Sequence, residues 1–279
     1  MIRDNKFLRD MAKKYIGKEK LPYRFLEEPY FFFESPDKRK IQIFRDRFVG
    51  GRCFIIGNGP SLNKLDLRKI ANEHTFGVNG IYYKTREMGF RPEFYVVEDS
   101  HVMKENADSI DEYDVPFKFF PMEYKKYVRN RKNVTFFRMN QGFYVENSPN
   151  FAIPRFSTDC AERIFCGQSV TMINLQLAYY MGFSDVYLIG MDFDYKIPSS
   201  AKVIGNDIVS QDDDVNHFHP DYFGKGKTWH DPHLDRALNS YRLIKVVYEA
   251  AGRKIFNATA GGKLEVFERC NYADIFEKI

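Results

Sequence analysis

No apolar run in this chain approaches the ~18 residues that a bilayer-spanning helix requires, so the sequence offers no membrane span. Its four cysteines, Cys53, Cys160, Cys166 and Cys270, form no CxxC pair and no zinc spacing. They read as reduced, mostly buried thiols, which excludes a disulfide framework. The opening MIRDNKFLRDMAKKY lacks the apolar stretch of a signal peptide, and a cytoplasmic location is expected. Tryptophan occurs once, against 27 Phe and 18 Tyr. The aromatic core therefore falls to phenylalanine, while tyrosine tips suit carbohydrate and base contacts. A broad basic face is missing as well. The net charge is +4, yet residues 1–50 hold 13 Lys+Arg against 8 Asp+Glu and the rest carries 29 against 30. A nucleic-acid-binding body would be basic over a whole face, so no nucleic-acid partner is expected.

What is present divides in two. Residues 1–50 form a basic, aromatic arm and 51–279 a single α/β domain. In the arm, Phe7, Leu8, Met11 and Tyr15 recur at helical spacing among Lys and Arg, predicting an amphipathic helix over 5–16. Pro22, Pro29, Pro36 and the cluster Tyr30-Phe31-Phe32-Phe33 follow. Such an arm either lies on an anionic membrane surface, at the inner membrane face, or packs on the main domain or a second subunit of a homo-oligomer.

From residue 52 short apolar runs alternate with helical patterns. Strands are expected at 52–56, 76–79, 94–97, 115–120, 134–138, 186–189 and 254–256, and helices at 65–72, 169–181 and 232–251. The stretch 199–216 is polar and reads as mobile. Strands alternating with helices predict a doubly wound, mostly parallel Rossmann-like sheet.

Ligands of such sheets bind beyond the carboxyl ends of strands, so polar residues directly after strand runs are the candidates. Gly57-Asn58-Gly59-Pro60-Ser61 is the first place. Its glycines let backbone amides approach an anion, Asn58 can donate to a phosphate or ribose oxygen, and Ser61 is placed to cap the next helix. It is neither a Walker loop nor a GxGxxG, and a generic turn has the same composition. Asn79 after the second strand, and Glu98 with Asp99 after the third, are the next candidates, for a sugar hydroxyl, a metal or a base. Asp192 follows the strand VYLIG directly and reaches the same crevice. Gln168 and Ser169 open the central helix, where amides and a hydroxyl can hold an anion or simply cap. Asn257, after the last strand, is placed for a nucleobase. Four of the six histidines fall in 217–219 and 230–233 around a Tyr-Phe-Gly-Lys-Gly loop. A lid carrying a general base, solvated loop histidines and a metal site are the readings; the lid is preferred, with His217, His219, Tyr222 and Trp229 facing the acceptor and no metal assigned.

GNGPSL at 57–62, SVTMINLQLAYYMGFSDVYLIGMDF at 169–193, HFHPDY at 217–222 and NATAGGKLEVF at 257–267 together resemble a known pattern. They are similar to the bacterial sialyltransferases of glycosyltransferase family 42. The closer similarity is to the domain family of archaeal 6-hydroxymethylpterin diphosphokinase and the flagellin-modifying motility accessory factors. The resemblance covers roughly 52–270. It implies a nucleotide-sugar transferase domain that holds cytidine monophosphate at Gly57, Asn58 and Gly59, with Asn79 following. It puts Ser169 and Thr171 on the sugar carboxylate, His230 as catalytic base, and Tyr195 and Tyr222 beside the departing phosphate. Glu98 stands where the sialyltransferase pattern has an amide, and the acceptor-binding arginine has no counterpart.

The expectation is thus a metal-independent transfer from a CMP-linked sugar, a nonulosonate or another keto-sugar acid, to a glycan or lipid-linked acceptor. His230, Tyr195 and Asp192 are its catalytic residues, and the segment 199–228 closes the site. Two alternatives stand beside it. One is a diphosphokinase moving pyrophosphate from ATP to a small alcohol, with Mg²⁺ on Glu98, Asp99 and Asp192. The other is a non-catalytic nucleotide-binding module of a polysaccharide assembly.

Overall fold

Strand β1 (Arg52–Ile56) turns Cys53 and Ile55 to one face and Phe54 and Ile56 to the other, all four fully buried. A strand buried on both sides belongs in the middle of a parallel sheet. The computed structural model, which describes residues 26–30 and 37–277, places it there. On one side of β1 run β2 (His74–Val78), β3 (Phe94–Val96), β4 (Phe117–Pro121) and β5 (Val134–Phe137). Two short segments, β6 (Met139–Asn140) and β7 (Ile164–Phe165), then pair separately. The chain returns to the other side of β1 as β8 (Asp185–Ile189). A small antiparallel sheet of β9 (Lys202–Ile204), β10 (Asp207–Val209) and β11 (Thr228–His230) follows. The main sheet closes with β12 (Lys254–Asn257) and β13 (Glu268–Arg269), giving the order β13-β12-β8-β1-β2-β3-β4-β5 with every ladder parallel.

Helices cover both faces. We label α1 (Lys38–Gln42), α2 (Ser100–Glu105), α3 (Val170–Tyr180) and α4 (Leu234–Ala250). Helix α3 is buried from Val170 to Ala178, because the sheet lies under it and α4 over it. Its Gln176 is fully enclosed yet satisfied: the side chain accepts from the Ser157 and Phe165 amides and donates to the Phe165 and Met172 carbonyls. Helix α4 buries Ala237, Ser240, Tyr241, Ile244 and Tyr248, one stripe at helical spacing.

Several expectations change here. The helix expected at 65–72 is replaced by a 3₁₀ turn, Leu67–Ile70, capped by the Asp66 carboxylate on the Arg68 amide, and a second 3₁₀ turn, Pro60–Lys64, precedes it. The polar stretch 199–216 contains β9 and β10, three residues each, which pair with one another, and β10 pairs in turn with the distant β11. The expected arm is in part integral to the domain: Ile41 and Phe44 enter the core, and the Phe44 ring meets Phe94, Phe117 and Phe119 edge-on at 4.9–5.9 Å. The helix expected over 5–16 and residues 31–33 of the aromatic cluster lie outside the described residues. Among those described, no helix is long and apolar enough to cross a membrane.

Candidate active site

The direction of winding reverses between β1 and β8, the place where sheets of this kind bind ligands, and a crevice lies beyond their carboxyl ends. Three loops knit its floor. The Gly57 amide donates to the Ile189 carbonyl at 2.8 Å and the Gly59 amide to Gly190 at 2.9 Å. A Cβ on Gly57 would stand 2.5 Å from the Gly190 oxygen, and one on Gly59 would overlap the Asp192 carboxylate, so only glycine allows the two loops to touch. Asp192 accepts from the Ser61 hydroxyl at 2.6 Å and from the Ser61 amide at 3.2 Å. The third loop joins through Thr259, whose hydroxyl accepts from the Met191 amide at 3.1 Å, and through the Lys263 amide on the Asp192 carbonyl at 2.7 Å.

This corrects the expected phosphate grip. The amides of Gly57, Gly59 and Ser61 are already committed to the β8 loop, and the 3₁₀ turn that follows is too short to present a helix dipole. Gly59, not Ser61, occupies the N-cap position, and the Ser61 hydroxyl is held by Asp192 instead. Asp192 is accordingly a tie between loops; its oxygens already serve Ser61. Asn257 is fully buried, donating to the Leu264 carbonyl and accepting from the Thr259 amide, so its amide shapes the turn and does not face a base.

Above this floor lies a cavity of about 840 Å³. Asn58 closes its base: the side-chain amide donates to the Val78 carbonyl (3.0 Å) and the Tyr222 hydroxyl (2.9 Å), while its Oδ1 has no partner among the described residues. The Tyr222 hydroxyl also accepts from the Gly80 amide at 3.2 Å, so this tyrosine is a strut between the lid and the β2 loop. Asn79 sits at a positive φ of 43°, and its Oδ1 accepts from the Glu98 amide. Ser169 caps α3 through the Thr171 amide, and both hydroxyls meet the Tyr241 phenol.

One wall is acidic. Burial, with Asp99 beside it, pushes the Glu98 carboxyl up to about 7 against the pull of the Tyr144 hydroxyl 3.1 Å away. Burial likewise lifts Glu123 to about 7; Gln141 donates to one of its oxygens at 2.7 Å and the other has no partner among the described residues. Asp99 itself caps α2, accepting from the His101 and Val102 amides. In all, seven carboxylates line the cavity against three cations, Lys104, Lys126 and Arg236, so an anionic ligand there calls for added positive charge.

The segment expected to act as a lid supplies histidines. His217 lies flat against Tyr222, ring centroids 4.0 Å apart, and its Nδ1 meets Asp214 at 2.7 Å. Burial works against the Asp214 charge, yet His217 and the Asn216 and Phe223 amides hold its carboxyl below the usual carboxylate range. His230 turns its Nδ1 to Asp207 at 2.9 Å, and His101 shares the same Asp207 oxygen at 3.1 Å. Both His217 and His230 line the cavity, as do Tyr195, Trp229, Asn79, Gln168, Ser169 and Thr171. Ser61, Asn257 and His219 do not; His219 stacks on Tyr83 away from it. Tyr195 shows one edge to solvent, and burial, then Tyr241 and Asp214, push its phenol above its ordinary pKa.

Sequence reasoning passed over Glu123, Tyr144, His101, Asp207 and Asp214. Only Asp214 left a local sign, three residues before His217; Glu123 and Tyr144 reach the cavity from separate elements, and His101 and Asp207 meet beside its His230 wall.

A family model described as 6-hydroxymethylpterin diphosphokinase MptE-like matches residues 30–198, more than half of the chain. The match starts inside the segment set apart above as an arm. Among solved structures, the MAf glycosyltransferase from Magnetospirillum magneticum AMB-1 aligns with a TM-score of 0.46 and 14% identity, over 86% of this chain and 39% of that one. The chain thus spans well under half the length of that protein. The search of curated proteins gave no match.

Proposed function

This chain belongs to the 6-hydroxymethylpterin diphosphokinase MptE-like family, and from that premise we propose that it is a transferase carrying a group from a nucleotide donor to a hydroxyl acceptor in the switch-point cavity. The observation that carries the reading is the pair of Asp-backed imidazoles on the cavity wall, His217 with Asp214 and His230 with Asp207. A carboxylate on Nδ1 fixes the tautomer and leaves Nε2 free to take a proton from an acceptor hydroxyl. Either histidine meets that requirement.

The donor we propose is a CMP-linked sugar, a nonulosonate or another keto-sugar acid, and the acceptor a glycan or lipid-linked glycan. Aromatic faces beside carboxylates suit sugar rings and hydroxyls, and the cavity has room for donor and acceptor together. Its phosphate would lie toward Lys104, Lys126 and Arg236, with Tyr195, held protonated, beside the leaving oxygen. Alignment and charge stabilisation in a closed site would supply the rate.

The excess of carboxylates favours a second reading, pyrophosphate transfer from ATP with Mg²⁺. The carboxylates have the chemistry of hard-cation ligands, with Glu98 and Asp99 adjoining at the wall and an unpartnered oxygen on Glu123, but among the described residues these three do not gather into one ligand cluster. Asp192, tied to Ser61, drops out of the expected ligand set. A bound Mg²⁺ would offset phosphate charge. Titration with CMP, CTP and ATP, each with and without Mg²⁺, separates the readings. Metal-independent CMP binding supports glycosyl transfer, and Mg²⁺-dependent ATP binding supports the kinase. Binding without turnover of any donor returns the chain to a nucleotide-binding module.

A further inference from the structure

We propose that His101, Asp207 and His230 form a binding site for a divalent transition-metal ion that joins the lid to α2 at the edge of the cavity. The inference rests on the transferase reading for its purpose but not for its chemistry. The ligand atoms of the three side chains all lie within 4.8 Å of one another. Three ligands around one ion at about 2.1 Å stand roughly 3.4 Å apart, so small side-chain movements close the set. The present contacts already converge: both imidazoles point a nitrogen at one oxygen of Asp207, at 2.9 and 3.1 Å, and the rings stand 4.3 Å apart.

The backbone holds two of the three in place. Asp207 and His230 are direct cross-strand partners on β10 and β11, and in the next rung the buried Ile208 and Trp229 anchor the two strands in the core. His101 comes from α2, directly beyond β3, in the stretch that also brings Glu98 and Asp99 to the cavity. An ion here would therefore clamp a lid to the sheet's ligand-binding edge. The side chains are 16%, 44% and 37% exposed, which leaves coordination positions open, and His230 faces the cavity. Two imidazoles with one carboxylate select Zn²⁺, Mn²⁺ and their neighbours over Mg²⁺, which prefers oxygen ligands. The cavity's surplus of carboxylates gives such an ion its function: it supplies the positive charge that a donor phosphate finds in short supply. With His230 a ligand, the base is His217.

The test measures metal on the metal-stripped full-length chain, without nucleotide. Calorimetry with Zn²⁺, Mn²⁺ and Mg²⁺ should give one site per chain, tightest for Zn²⁺, weaker for Mn²⁺ and absent for Mg²⁺. Affinity for Zn²⁺ should fall at least 100-fold in His101→Ala and in Asp207→Asn, and stay within twofold in His219→Ala, which lies outside the cluster. Zn²⁺ should raise the melting temperature of the wild type and not of His101→Ala, a comparison that holds even for a destabilised variant. Co²⁺ should show visible d–d bands that vanish in His101→Ala. No saturable Zn²⁺ site, a site that survives both substitutions, or equal affinity for Mg²⁺ would overturn the proposal. None of these results bears on nucleotide binding, so the transferase reading stands or falls separately.

Discussion

Gly59 and Asp192 meet where nothing larger than hydrogen fits between the β1 and β8 loops. Gly59→Ala has an ordinary backbone to adopt, φ −67°, so its cost is overlap alone. The substitution should lower stability by about 1–3 kcal/mol, and by clearly less in an Asp192→Ala background that removes the obstructing carboxylate. Additive losses in a chemical-denaturation cycle would dismiss the contact as the cause. His217 is argued from the opposite kind of contact, a hydrogen bond held in an aromatic enclosure. Replacing it with alanine should reduce turnover by roughly 10²- to 10⁴-fold while nucleotide affinity changes only a few-fold. Unchanged turnover would remove it as the base. Glu98 and Glu123 give a pH dependence. Each has a pKa of about 7 against 4.5 for the free group, so the folded chain holds protons that the unfolded chain has lost between those values. Their contribution is favourable below pH 4.5 and is lost as pH rises to about 7. Glu98→Gln and Glu123→Gln should each flatten that window and raise stability at pH 8 by roughly 1–2 kcal/mol relative to the wild type. Melting curves across pH 4–8 check it; parallel profiles would contradict it.

At the scale of elements, the lid is joined to the sheet through Tyr222, whose hydroxyl serves both Asn58 and the buried Gly80 amide. Tyr222→Phe keeps the ring on His217 and leaves that amide without its acceptor, at a cost of about 1–3 kcal/mol. Amide exchange should rise at Gly80 and across the lid before it rises in α3; uniform protection would show that the strut does not hold the lid. The β1, β8 and α3 elements were legible because each carries its own signal, a fully apolar run or a Ser-capped helix ending at Gly182. The lid strands were not, since Lys202–Ile204 is wholly exposed and its pairing depends on β10 and, through it, on residues 228–230. The 3₁₀ turns after β1 were misread as a helix because apolar spacing does not report whether an α-helical ladder forms.

At the scale of the molecule, a nearly neutral body sets seven carboxylates around one cavity at the switch point. That location could be read from the sequence, because polar residues after strand runs must fall at the sheet's carboxyl edge. The wiring there could not. The loop amides are taken up by a neighbouring loop because β1 lies beside β8, more than 120 residues away in sequence, and the shared Asp207 needs three separate elements to arrive together. The most direct test of the central claim is a crystal structure of the protein grown with CMP, and with ATP and Mg²⁺. We expect nucleotide density over the Gly57–Gly59 and Gly190–Asp192 corner, beneath the lid that carries His217. A nucleotide at the opposite rim of the sheet, or an empty cavity at saturating concentrations of both, would contradict it.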